Sequence, residues 1–181
     1  MIMKRRNTQK HENRTAIRRH GRRVAVLVLT LGLGLAGTGA LATAAAGESS
    51  PVPFKASVSG TVTATGASTF RLDASGLASH LGRLDAYIGE GTITSIDPET
   101  GVITDVLIET FTAANGDTLT IRCDQVLEPM GNGLLEGTDT WTVIGGTGRF
   151  EDATGSGTGT TAVVDLATFT KELKGMIMLA N

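Results

Sequence analysis

The sequence has few of the residues from which enzymes build reactive sites. Its 181 residues include one cysteine, three histidines, one tryptophan and one tyrosine, and aromatic side chains make up only 4% of the chain. The lone cysteine, Cys123, excludes an internal disulfide bond. A single histidine, His80, follows residue 46, so a metal site would have to rely on carboxylates. We therefore expect neither a metal nor a cofactor.

Positive charge is also scarce beyond the N-terminus. Nine of the sixteen Lys and Arg residues, but one of the eighteen acidic residues, lie within residues 1–46. Residues 47–181 therefore carry seventeen acids against seven bases. A domain with this excess of negative charge repels the phosphate backbone, which excludes nucleic acid as a partner.

The N-terminal segment has the order of a secretory signal. A basic region is followed by the apolar run "VAVLVLTLGLGLAG" at 24–37 and then by "ALATAAAG", which ends at Gly47. This order predicts a signal peptide over residues 1–46, cleaved after Ala44 or Ala46. An uncleaved anchor is the alternative, because residues 24–41 approach the length of a membrane span. Cleavage would release a secreted protein without a membrane attachment, with a linker at 47–53 and one domain at 54–181.

No amphipathic helix is evident from residue 54 onward; stretches 75–82 and 149–154 allow at most one helical turn each. Threonine, valine and isoleucine instead alternate with period two between turn sequences such as "DPETG" and "GNG". Strands are predicted at 54–64, 67–73, 83–95, 102–113, 117–127, 134–144, 156–165 and 167–178. About eight successive hairpin-linked strands predict an all-β fold, a small antiparallel up-and-down β-barrel.

The "NG" pair at 115–116 predicts how two of these strands face each other. As a two-residue hairpin loop it places Glu109 opposite Arg122 on the outer face, as a solvated pair. A slip of one residue would exchange the two faces of a strand. This register puts Ile108 and Cys123 on the inner face, and the same count through the turn at 97–101 adds Tyr87.

The stretch "VIGGTGRFEDATGSGTG" at 143–159 could be either a phosphate loop or a turn. A Walker loop needs a lysine followed by serine or threonine and then a helix, and neither is present. A dinucleotide site needs alternating strands and helices around it, which the sequence also lacks. The glycines therefore predict a tight crossing between two strands.

This stretch resembles a signature shared by dirigent proteins and allene oxide cyclases, in which GG[TS]G-x-F leaves one barrel strand and A/V-x-G enters the next. "ASHLGR" at 78–83, "ANGD" at 114–117 and the long terminal hairpin are similar to the exported bacterial branch of that superfamily, the allene oxide cyclase barrel-like domains. The resemblance covers most of residues 54–178.

The resemblance implies a barrel with an apolar interior that binds a lipid-like or phenolic molecule, and Phe150 would close one barrel end. Barrels of this superfamily often assemble, so it also implies a homo-oligomer. Plant relatives cyclise a fatty-acid epoxide or guide the coupling of phenoxy radicals. Their polar catalytic residues do not match this chain position by position, and none is transferred.

Candidate ligand-binding residues lie on inner faces or near a barrel mouth. Asp139 and Trp141 share one face of the sixth predicted strand, but the turn before it leaves open whether that face points inward. Each candidate has a structural alternative, as a core side chain or as part of a loop. The full set is Tyr87, Ile108, Cys123, Asp139, Trp141, His80 and Arg149.

The sequence shows no nucleophile with a nearby base, so it predicts no particular reaction. The main hypothesis is an exported barrel that binds a small hydrophobic or aromatic molecule, or that serves as a structural extracellular module. The alternative is an isomerase or cyclase acting on an apolar substrate inside the barrel. A third hypothesis is an assembly protein that forms oligomers through its outer face.

Overall fold

The structure, a computed structural model, describes residues 50–180. The predicted signal peptide, and with it the choice between cleavage and a retained anchor, lies outside the described residues. Within residues 50–180, no helix is long and apolar enough to cross a membrane.

Eight antiparallel strands form a closed barrel in which each strand pairs with the next and β8 pairs with β1. The predicted fold class is therefore confirmed. The strands are β1 Val52–Ala64, β2 Thr69–Ala78, β3 Gly82–Ile96, β4 Ile103–Ala113, β5 Thr118–Gly131, β6 Leu134–Gly146, β7 Thr154–Val164 and β8 Thr168–Met178.

The largest difference from the predicted elements is in β2. The helical turn considered for residues 75–82 is absent, because β2 stays paired with β1 up to Ala78. The chain then reverses within three residues, and His80 takes a positive φ of 66° there. Asparagine, aspartate and histidine tolerate this left-handed conformation better than most residues do.

The up-and-down order puts alternate turns at opposite ends of the barrel. The β2–β3, β4–β5 and β6–β7 connections lie at one end, which we call the glycine-turn end. There, residues 143–159 leave β6, form the short 3-10 helix Gly148–Phe150 and enter β7. Gly148 has a φ of 59°, and Phe150 is fully buried below the turn. The predicted crossing between two strands is confirmed.

The register predicted for the β4–β5 hairpin is wrong by one residue. Ile108 faces Arg122 rather than Cys123, and Glu109 faces Ile121. The loop is longer than predicted, because the backbone N–H of Ala113 bonds to the carbonyl of Asp117. A two-residue type I′ loop needs positive φ at both central residues, whereas here Gly116 has a φ of 87° and Asn115 is not in that region.

The slip reverses β4 alone. Leu107 and Glu109 point into the barrel and are fully buried, whereas Ile108 lies on the outer face and is 40% exposed. Tyr87 on β3 and Cys123 on β5 point inward, as predicted. Of the three strands whose facing was counted through turns, only β4 changed sides.

The glycines of β7 make room for the largest side chain in the barrel. Trp141 lies opposite Gly157, and Gly157 lies opposite Gly175 on β8. A Cβ atom on Gly157 would lie 2.6 Å from the Trp141 indole and 2.1 Å from the carbonyl oxygen of Lys174. The period-two glycines of this stretch are therefore a packing feature.

We expect Gly157→Ala to lower the free energy of unfolding by about 1–3 kcal/mol, the usual cost of overpacking a core. Gly145→Ala is the matched control, because a Cβ there meets nothing within 4 Å. Urea denaturation of both variants checks the expectation. Equal stability of the two would contradict this account of the glycines.

Candidate functional site

The half of the barrel interior nearer the glycine-turn end is filled by aromatic rings. Phe54 packs edge-on against Trp141 and Phe111, with ring centroids 5.4 and 6.1 Å apart. Tyr87 packs edge-on against Phe111 at 5.0 Å. The Trp141 Nε1–H donates a hydrogen bond to the Thr158 carbonyl oxygen at 3.2 Å. These contacts leave the rings in a packed core.

A charged layer follows in the middle of the barrel. Lys171 on β8 forms an ion pair with Glu109 on β4, and both side chains are fully buried. The Lys171 Nζ also lies 3.5 Å from Asp139 Oδ1 and 3.8 Å from the Cys123 Sγ. One ammonium group therefore forms ion pairs with two carboxylates inside the barrel.

A second set of hydrogen bonds holds Asp139 on its other side. The Gln125 amide donates to Asp139 Oδ1 at 2.6 Å and to the Thr161 hydroxyl oxygen at 2.9 Å. The Thr161 hydroxyl donates to Asp139 Oδ2 at 2.8 Å. Both Asp139 oxygens are thus satisfied, as buried carboxylates require.

Asp105 lies in the same interior without such support. Its side chain is 1% exposed, and its Oδ1 atom has no hydrogen-bond partner among the described residues. A buried polar atom without a partner costs free energy and is uncommon in folded proteins.

Asp105, Gln125 and Thr161 form the polar floor of a pocket at the barrel end opposite the glycine turn. We call it the end pocket; its volume is about 180 Å³. Its walls are mostly apolar and come from the ends of several strands and from the β1–β2 turn; they include Leu72, Ile103, Leu127, Leu135, Val163 and Phe169.

Two larger grooves, of about 890 and 900 Å³, lie on the outside of the barrel. Hydroxyl side chains of β6 and β7, such as Thr138 and Thr160, line both of them. They are open and have no buried polar group unsatisfied at their base, so the end pocket is the better candidate site.

Burial and neighbouring charges together set the protonation of the interior. Burial raises the pKa of the Asp105 carboxyl from 3.8 to about 7, although the charge of Lys171 opposes the shift. Burial alone would lower the pKa of Lys171, but the charges of Glu109 and Asp139 outweigh it and the net shift is upward. Lys171 therefore stays charged at neutral pH, whereas Asp105 is partly protonated at that pH.

Burial also raises the pKa of the Cys123 thiol and, aided by the charge of Glu109, raises that of Tyr87 well above its ordinary value. Both groups are therefore neutral at physiological pH. Because the thiolate is the nucleophilic form of cysteine, Cys123 has the character of a buried apolar side chain.

The structure brings four of the sequence-predicted residues together inside the barrel. Tyr87, Cys123, Asp139 and Trp141 are all buried, and Asp139 shares the inner face with Trp141. They lie beneath the end pocket or in the aromatic half, and none of their side chains reaches the apolar pocket wall. Ile108 is on the outer face, because the longer β4–β5 loop shifts the register by one residue.

His80 and Arg149 lie at the glycine-turn end, away from the end pocket. The His80 Nε2 atom is 3.0 Å from the Pro53 carbonyl oxygen, which ties the β2–β3 turn to β1. The Arg149 guanidinium lies over the Phe150 ring, 5.5 Å from its centroid. Both side chains therefore take part in contacts of the turns.

Sequence reasoning placed Glu109 on the outer face, which is wrong, and did not select Lys171, Asp105, Gln125 or Thr161 as site residues. One signal was readable: Lys171 has the same parity on β8 as Phe169, Leu173 and Ile177, which are all buried. An amphipathic strand that carries its lysine on the apolar side predicts a buried cation with an acidic partner. The identity of that partner depends on the closure of the barrel.

The described residues contain no group of three or more His, Cys, Asp or Glu side chains placed to hold a metal ion. Lys171 occupies the position between Glu109 and Asp139 at which a cation would be favoured. The positive charge of this layer thus comes from the ammonium group of Lys171.

No protein-family model matches the chain, and no curated protein matches it. Two solved structures with a similar fold are the pterocarpan synthase dirigent proteins GePTS1 and PsPTS1. GePTS1 is 18% identical with a TM-score of 0.41, over 78% of this chain and 96% of that chain. For PsPTS1 the values are 18% and 0.43, over 74% and 98%.

Identities and TM-scores at this level assign neither a family nor an activity. What the topology defines is the class of protein, an eight-stranded antiparallel barrel with a charged layer and a pocket at one end. The allene oxide cyclase branch, and its exported bacterial members, stay a prediction.

We expect Lys171→Met to lower the free energy of unfolding by about 3–5 kcal/mol, because it leaves the buried Glu109 without a counter-charge. The double variant with Glu109→Leu should recover part of the loss. Lys174→Met, on the exposed side of β8, is the control and should change stability by less than about 0.5 kcal/mol. Urea denaturation measures all three, and a Lys171 variant as stable as the control would refute the buried pair.

A second expectation concerns pH. Because the folded protein holds the Asp105 proton up to about pH 7 and the unfolded chain releases it near 3.8, folding stability falls as pH rises between these values. Asp105→Asn removes this loss. The free energy of unfolding of the variant, relative to that of the wild type, should therefore rise by roughly 2–4 kcal/mol from pH 4 to pH 8. Denaturation series with the exposed Asp85→Asn as control test this; a pH-independent difference would contradict it.

Proposed function

We propose that the end pocket binds a small hydrophobic or aromatic molecule, about the size of one ring. The observation that carries this proposal is a pocket with apolar walls and an unsatisfied carboxyl on its floor. Apolar walls with a few placed polar groups are the usual composition of small-molecule sites.

The volume supports a ligand of this size. An apolar cavity of about 150 Å³ is sufficient to bind benzene, whereas drug-sized ligands occupy roughly 300 Å³ or more. The end pocket, at about 180 Å³, lies near the lower figure. Burying an apolar ring there releases about 25 cal/mol for each Å² of apolar surface removed from water.

The floor supports a ligand with one polar group at its inner end. Gln125 and Thr161 are engaged with Asp139, so Asp105 is the floor residue with a free acceptor atom. A ligand donor against Asp105 would supply a hydrogen bond to a carboxyl group whose Oδ1 atom has no partner among the described residues. The pocket thus favours amphipathic molecules over plain hydrocarbons.

The isomerase or cyclase alternative has less support. Asp105 is the single titratable residue in the pocket lining, and the volume is small for an acyl substrate that must fold on itself. Secretion, self-association and a structural extracellular role stay predictions, because they depend on the N-terminal segment or on partners.

Binding of benzyl alcohol, measured by isothermal titration and by ligand-observed NMR, tests the proposal. Leu135→Trp places a large side chain in the pocket wall and should weaken binding at least about tenfold. Ile144→Trp is the matched control on the same strand, because Ile144 is 52% exposed on the outer face. Equal binding by the two variants, or none by the wild type, would count against the pocket.

A further inference from the structure

The interior of the barrel has more acids than bases. One cation, Lys171, faces three buried carboxyl groups, those of Glu109, Asp139 and Asp105. Its ion pairs are with Glu109 and Asp139. Asp105 forms no ion pair within the described residues, and its Oδ1 atom has no hydrogen-bond donor. The carboxyl group next to the pocket is therefore the one without a counter-charge.

The walls around Asp105 suit a cation with an apolar body. Phe70 and Phe169 line the same pocket, and the faces of aromatic rings attract positive charge. Most of the remaining walls are aliphatic, so they favour a ring or a short alkyl chain. The excess of acids over bases in residues 47–181 also raises the local concentration of cations around the barrel.

We propose that the end pocket selects small apolar amines, with the ammonium group against Asp105 and the apolar body against the wall. This inference rests on the proposed function and names the ligand class of the same site. A charge-assisted hydrogen bond to a carboxylate is about twice as strong as a neutral one, which favours an amine over an alcohol of the same shape. A ligand carboxylate would lie against the Asp105 carboxyl without a counter-charge and be repelled.

The selection depends on pH in a defined direction. The groups that face Asp105 are Glu109 on its own strand, Asp139 on β6 and Lys171 on β8, while Gln125 and Thr161 do not titrate. In the free protein at neutral pH, Asp105 is partly protonated; a bound ammonium group favours the ionised form. Binding therefore releases a proton, and amine affinity rises as pH increases from about 5 to about 8.

Three compounds that share one ring separate the possibilities: benzylamine, benzyl alcohol and benzoate. Isothermal titration of the full-length protein at pH 8 should give at least about tenfold tighter binding for benzylamine than for benzyl alcohol, with benzoate weakest. The affinity for benzylamine should fall as pH is lowered, whereas the affinity for benzyl alcohol should stay nearly constant.

Asp105→Asn keeps the shape of the side chain and removes its charge. We expect it to weaken benzylamine binding about tenfold and to change benzyl alcohol binding less than about threefold. Asp85→Asn removes one exposed charge from β3 and controls for the net charge of the protein. It should leave all three affinities unchanged.

The outcomes distinguish this inference from the proposed function. Equal or tighter binding of benzyl alcohol overturns amine selection, as does an Asp105→Asn variant that keeps its benzylamine affinity. Either result leaves the proposed function of the end pocket standing. Failure of all three compounds to bind overturns both. If Asp105→Asn does not fold, the pH series on the wild type decides, and a flat benzylamine profile overturns the inference.

Discussion

The ion pair between Lys171 and Glu109 is the interaction on which the barrel interior depends. In a closed barrel every second residue of each strand points inward. A charged side chain at one of these positions is therefore buried away from water. Two full charges cost several kcal/mol to bury, and the cost is offset only when each charge finds a partner. Lys171 and Glu109 lie on β8 and β4, which are not neighbours, so closure of the sheet brings them together.

The ion pair also determines the chemistry of the pocket. Asp139 shares the Lys171 ammonium and needs further donors, which Gln125 and Thr161 supply from β5 and β7. The hydrogen-bond donors of those two residues are therefore already used within the protein, although both residues lie on the pocket floor. Asp105 is left as the carboxyl of the pocket floor, and burial raises its pKa although the charge of Lys171 opposes the shift.

Strand number and barrel closure could be predicted from the sequence because they depend on local signals, period-two alternation and turn residues. The register of β4 could not, because it depended on whether the loop at Asn115 and Gly116 has two residues or three. A loop one residue longer than predicted moves Glu109 to the inner face, and the apolar pattern does not show this because both faces of β4 carry apolar side chains. The parity of Lys171 was readable, but its partner was not.

The glycine stretch, which first suggests a phosphate site, instead determines where the pocket lies. Gly157 and Gly175 admit the Trp141 indole, and Phe150 closes the end beneath the turn, so the nearer half of the barrel is filled. Steric space inside a closed barrel is limited, and side chains that fill one half cannot line a cavity there. The end pocket is accordingly at the opposite end, where mostly apolar side chains of the strand ends surround an open space. A ligand that enters the barrel should therefore approach Asp105 from the β1–β2 turn, with the charged layer as the wall at which it stops.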